Sequence, residues 1–495
     1  MRRHFSASLV LALVAAVAAG SVSTALAQAT ARPAERGQQA VREGRLDEAI
    51  KCFQEALKAD PRNAGLHAWL GSTYLQQGAV SEAEKALKEA LALDPKLAAA
   101  HNNLGNVYFG RGQLELAEKS YLQATKLDPK SFDAHYNLAN LYQRMGKHEP
   151  SWVYYTRALL INPNDVEAHI AFGRALQQIG EVQKAIREYE LARRLQPGNV
   201  QLLNTLGLLY TKIGRYQDAY DRSTEALKYE PNSVEGHIGA GVALYHLGKL
   251  DEAASHFQEA QKLDPANAAA RDNMGLVLAA KGDLQGAEDI YRKALAERPE
   301  DPVALHNLAS VCLKAGRTDE AVELLRKAVA ADPKLAEAQV NLAVALEQQG
   351  QADAALAQWE EAVRRCPRCA EAQAGLGKAL YERKDYGAAL TAYLRSLELK
   401  EENPLAHNGA GLIYLARDNL VSAGTHFRAA VRQDPGFAEA MNNLGVVLER
   451  EGKRSEALQH YQRALEIDPE CQPARENLQR LQAPTAPPAD RSGTG

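Results

Sequence analysis

Residues 98–131 read AAAHNNLGNVYFGRGQLELAEKSYLQATKLDPKS, and this stretch decides the fold. From Ala98 to Gly110, apolar and small residues return at three- and four-residue steps, which puts them on one face of a helix. Gly112 follows; glycine readily enters the left-handed region and stops a helix. A second helical run extends from Leu114 to Leu127. Asp128-Pro129 ends it, because the residue before a proline avoids helical backbone angles. The stretch predicts one helix–turn–helix unit of 34 residues.

The same unit recurs in both directions. Pro stands at 61, 95, 129, 163, 197, 231, 265, 299, 333, 367, 435 and 469, in steps of 34 with one copy skipped at Glu401. Gly stands at 44, 78, 112, 146, 180, 214, 248, 282, 316, 350 and 452 in the same frame, with Lys384 and Asp418 in its place twice. Ala keeps the frame from Ala49 to Ala457, Ser151 being the exception. A fixed period of this size marks stacked repeats. Thirteen units cover residues 30–471, and none carries an insertion. Below, positions within a unit are counted with Ala98 as position 1.

In Leu104-Gly105, Tyr108, Ala117, Tyr121, Ala124 and Pro129, the pattern resembles the tetratricopeptide repeat (TPR) family. The resemblance implies an all-α, right-handed α-solenoid superhelix of about 13 repeats, with the first helix (A) of each repeat lining a concave groove. Packing logic agrees. One helix pair cannot bury its apolar face alone, so neighbours must stack. Gly105 and Ala117 fit where helix A crosses the second helix (B), since a larger side chain would hold the axes apart. The first repeat is degenerate, with a weak A helix. Residues 472–482 read as a final polar capping helix, and residues 483–495, rich in Pro, Gly, Ser and Thr, as a disordered tail.

Composition narrows the function. Lys and Arg number 58 against 62 Asp and Glu, for a net charge of -4. That balance speaks against nucleic-acid binding, which calls for a basic excess. Arg2 and Arg3, the apolar run Leu9 to Ala19, and Ala25-Leu26-Ala27 read as a signal peptide over residues 1–27, cleaved after Ala27. The run is shorter than a membrane-spanning helix needs. The expectation is a periplasmic or secreted mature chain with no membrane span.

By resemblance, positions 2, 5, 6, 9, 12 and 13 of each repeat face the groove. Asn recurs there as Asn103, Asn137, Asn273, Asn307, Asn341 and Asn443, with Asn102, Asn106 and Asn140 close by. An amide offers both donors and an acceptor, so such a row suits the backbone of an extended peptide. It is similar to the asparagine-lined repeats of O-linked GlcNAc transferases. The densest patch joins Trp69, Phe109 and Tyr136 to Asn102, Asn103, Asn106, Asn137 and Asn140. The competing reading is that the amides satisfy local backbone and the aromatics pack between helices.

Other motifs read as structural. His67, His101, His135, His169, His237 and His407 share one position. Neighbouring helices lie ~8–10 Å apart, too far for one ion with ligands at ~2 Å. Cys366-Pro367-Arg368-Cys369 reads as a local disulfide; free thiols, a redox pair and half a metal site stay open. The functional expectation is a non-catalytic scaffold that binds a protein or peptide partner in its groove, without a cofactor, in envelope assembly, secretion or polysaccharide export. A TPR subunit of an O-linked glycosyltransferase and a self-assembling array are the alternatives.

Overall fold

The structure is a computed structural model and describes residues 24–482. Residues 1–23, which hold most of the expected signal peptide, and the expected tail at 483–495 lie outside the described residues. The described residues contain 27 helices and no strand. Helices A and B alternate through thirteen repeats, and Gln472–Gln482 closes the series as the polar cap. Its Leu481 is buried against the last B helix, with Leu478 beside it. The third repeat has its helices at Ala98–Gly110 and Leu114–Leu127, the bounds its residues predict.

The A helix of the first repeat runs over Thr24–Arg42, starts ahead of residue 30 and carries Pro33 within it. The bond after Ala27 falls in its first turn.

The described residues divide into two compact units, one up to Gly248 and one from Lys249. In each, apolar residues gather in small clusters shared by adjacent repeats instead of one central core. This is the packing of a stack in which each repeat leans on its neighbours. Helix A crosses helix B where glycine meets a large ring. A Cβ on Gly105 would lie 2.5 Å from Tyr121, and one on Gly445 2.6 Å from Tyr461. Both rings are fully buried.

The turns between A and B are left-handed. Gly112 has φ 74°, and ten further turn glycines share that conformation. Where glycine is replaced, Lys384 and Asp418 hold it at φ 64° and 58°. Non-glycine residues rarely occupy this region, because Cβ crowds the following carbonyl.

The histidine row clamps the turns between repeats. Ring Nε2 of His67, His101, His135 and His169 bonds the carbonyl of Pro61, Pro95, Pro129 and Pro163, each at 3.0 Å. His407 bonds the carbonyl of Glu401, which stands in the proline position, at 3.2 Å. Gln339 makes the same contact with Pro333. Each clamp satisfies a turn carbonyl that no helix pairs.

Candidate partner-binding surface

The A helices of the third, fourth and fifth repeats (Ala98–Gly110, Phe132–Arg144 and Val166–Gln178) carry the densest group of candidate residues in the first unit. Asn137 Nδ2 donates to Asn102 Oδ1 at 3.0 Å, linking the third and fourth A helices. The second unit repeats the contact: Asn443 donates to Asn408, and Asn477 to Asn442, each at 3.0 Å. Asn341 reaches His306 Nε2 at 2.8 Å in the same geometry. In every case a position-6 amide donates to position 5 of the preceding repeat. Asn137, Asn341, Asn443 and Asn477 are therefore inter-repeat brackets.

Position 9 has another task. Asn106 Oδ1 accepts the Tyr121 hydroxyl at 2.7 Å, and Asn140 Oδ1 accepts that of Tyr155 at 2.5 Å. These buried phenols need a partner. Burial raises the pKa of both, so they stay protonated donors.

The candidates divide by exposure. Asn102, Asn103, Asn307 and Asn443 are buried. Asn106, Phe109, Tyr136, Asn137, Asn140, Asn273 and Asn341 are half-buried. Asn273 turns back to the Ala269 carbonyl of its own helix at 2.8 Å. Trp69 needs correction: it is 7% exposed and sits in the core, its ring 6.0 Å from Phe53 of the preceding B helix. Residues of the groove face can be swallowed this way when the preceding repeat supplies an aromatic partner. The expected aromatic patch thus reduces to Phe109 and Tyr136.

Both rings are held firmly. Tyr136 stacks on Phe132 at 5.7 Å and meets Tyr155 edge-on at 6.1 Å. Burial raises its pKa, opposed by its hydrogen bond with Asn140. The Arg144 guanidinium lies 4.9 Å from the centre of the Phe109 ring. Arg144 and Arg174 are exposed on these helices. Burial also pushes the Asp133 carboxyl up, and Asp165 adds to the effect. The surface therefore combines aromatic faces, amides and two exposed cations.

The second unit has a polar side built from pairs between its helices. Glu347 Oε2 pairs with Lys378 at 2.8 Å while its Oε1 accepts the Trp359 indole N–H at 2.8 Å. The Glu347 bond raises the Lys378 pKa. Asn408 Nδ2 reaches Glu439 at 3.2 Å. Sequence order does not show these partners of Lys378 and Glu439, because each lies 31 residues away on another helix.

Comparison with known families follows the repeat frame. Models described as tetratricopeptide repeat match residues 34–98, 340–404 and 385–436, residues 132–165 and 438–471, and residues 86–119. A model described as TPR repeat matches 105–146. The chain belongs to the tetratricopeptide repeat family. Residues 165–365 of this TPR chain also match a model described as the cilia and flagella-associated protein 70 C-terminal domain. No curated protein matches it. Among solved structures, the TPR chain is similar to the crystal structure of the APC/C hetero-tetramer Cut9-Hcn1. There the identity is 14%, the match covers 91% of this chain and 96% of that one, and the TM-score is 0.48. It is also similar to YrrB, described as a TPR protein with an unusual peptide-binding site. That match has 26% identity, 38% and 96% coverage, and a TM-score of 0.31.

Proposed function

We propose that the chain is a non-catalytic scaffold that holds an extended segment of a partner protein against its A helices. Repeat arrays of this kind expose a continuous run of A helices, and interaction is the work such a surface suits. The observation that carries it is the pairing of Phe109 and Tyr136, both half-buried and fixed by neighbours, with the amides of Asn106, Asn137 and Asn140. Rigid aromatics add contact area at small entropic cost. The Asn102–Asn137 bracket uses one donor proton of Asn137, and a primary amide has a second donor and an acceptor oxygen for a peptide backbone. In this reading the chain is exported, cleaved after Ala27, and serves in envelope assembly, secretion or polysaccharide export.

Peptides selected from a random displayed library on residues 28–482 test the proposal. Phe109→Ala with Tyr136→Ser should lower their affinity by at least about tenfold, the share of a binding anchor. Leu160→Ser, an exposed site on a B helix, should leave it unchanged. Circular dichroism checks that each variant stays folded. Equal binding by all three proteins would overturn the assignment of the surface.

A further inference from the structure

Positions 31 and 34 of a repeat flank the Asp-Pro turn, and their side chains meet across it. Asn63 reaches Asp60 at 3.0 Å, Asn267 reaches Asp264 at 3.2 Å, and Arg298 pairs with Asp301 at 2.7 Å. Asn162 with Asp165 and Asn199 with Gln196 make the same contact at 3.5 Å. Five turns are thus stapled by a polar bridge between these two positions.

In the tenth repeat the two positions are Cys366 and Cys369. The turn itself is the same: the Cys369 amide donates to the Cys366 carbonyl at 3.0 Å, as that of Asn63 does to Asp60 at 3.3 Å. A turn of this kind holds its first and fourth Cα atoms within about 7 Å, and a disulfide spans about 4.4–6.8 Å between Cα atoms. Both residues are half-buried free thiols. Of the other cysteines, Cys52 and Cys312 are buried and Cys471 has no partner position.

We propose that Cys366 and Cys369 form a thiol–disulfide site that closes on reaction with a low-molecular-weight disulfide, replacing the polar staple of this turn with a covalent one. The first cysteine thiolate attacks one sulfur of the small disulfide. An S–S bond forms to the protein, and one small thiolate leaves. The second cysteine thiolate then attacks Sγ of the first cysteine in that mixed disulfide, forms the Cys366–Cys369 bond and expels the second small thiolate. The protein thiols give up two electrons and two protons, and the small disulfide becomes two thiols. Burial pushes the Cys369 thiol up, against a hydrogen bond from the Ala372 amide that pulls it down; Cys366 and Glu371 push it up further. Closure therefore speeds up as pH rises from neutral. The site is independent of the partner-binding surface.

The test equilibrates the full chain with oxidised and reduced glutathione, with a chelator present, then quenches with acid, alkylates and maps peptides by mass. The peptide carrying residues 366–369 should hold an internal disulfide. Its equilibrium constant against the glutathione couple should be at least about tenfold larger in the native protein than in urea, because the native turn presets the pair. Cys369→Ser should fold, since Ser131 and Ser233 occupy this position in other repeats. It should leave Cys366 alkylated or joined to glutathione. An equal or smaller constant in the native protein, or both thiols alkylated under conditions that oxidise the unfolded chain, would overturn the proposal.

Discussion

Asn137 Nδ2 lies 3.0 Å from Asn102 Oδ1, joining neighbouring A helices through residues 35 apart in the chain. Asn102 is 7% exposed, so its amide depends on protein partners. Asn137→Ala should cost about 1–3 kcal/mol, the penalty of leaving a buried polar group unpaired. A double-mutant cycle with Asn102→Ala, read from urea unfolding, should give a coupling of about 0.5–1.5 kcal/mol. Additive effects would mean that the bracket contributes nothing to the stack.

Lys384 and Asp418 occupy turns that glycine fills in eleven other repeats. Left-handed backbone costs a side-chain-bearing residue about 1–2 kcal/mol. Lys384→Gly and Asp418→Gly should each stabilise the protein by up to about 1 kcal/mol, after the extra chain entropy of glycine is subtracted. Asp418→Gly also removes a contact with Arg450 at 3.4 Å between two exposed side chains, worth little. Urea midpoints that fall instead of rising would contradict the strain argument.

Gly105 is a different kind of glycine. It lies inside a helix, where alanine is intrinsically better by about 1 kcal/mol. Yet its added Cβ would meet the buried Tyr121 ring at 2.5 Å. Overpacking of this sort costs about 1–3 kcal/mol, so Gly105→Ala should be destabilising. Gly110→Ala, in the same helix with open space around it, should be neutral or stabilising. Thermal unfolding of the two variants separates propensity from packing.

His407 and His426 meet with their Nδ1 atoms 3.0 Å apart. Burial lowers the pKa of both, and His407 lowers that of His426 further. The unfolded chain therefore takes up protons first as pH falls through about 6.5. Stability present above that pH should be lost on acidification. His169 shows the opposite arrangement: burial lowers its pKa, but Glu188 at 2.7 Å and the Pro163 carbonyl outweigh it, and the net shift is upward. Such a pair contributes fully below about 6.5 and weakens as pH rises through the folded-state pKa. His426→Glu recreates it, because residues 426 and 188 hold the same repeat position. The urea midpoint of the native chain should drop between pH 7 and pH 5, and His426→Glu should shrink or reverse the drop. An unchanged pH dependence would rule out the histidine pair as its source.

The number and length of the repeats, the helix bounds at 98–110 and 114–127, the left-handed turns and the cap at 472–482 could all be read from residue order. Each rests on a local cause: where glycine must reverse the chain, where proline stops it, and which spacing puts apolar residues on one helix face. The division of labour among the groove residues could not be read this way. Asn102 and Asn137 are 35 residues apart, Trp69 is buried because Phe53 comes from the preceding repeat, and His135 serves the carbonyl of Pro129 behind it. Period and helical spacing place a residue on a face. Only the approach of one helix to the next decides which atoms on that face are spent on neighbours, since that approach depends on every side chain packed between them.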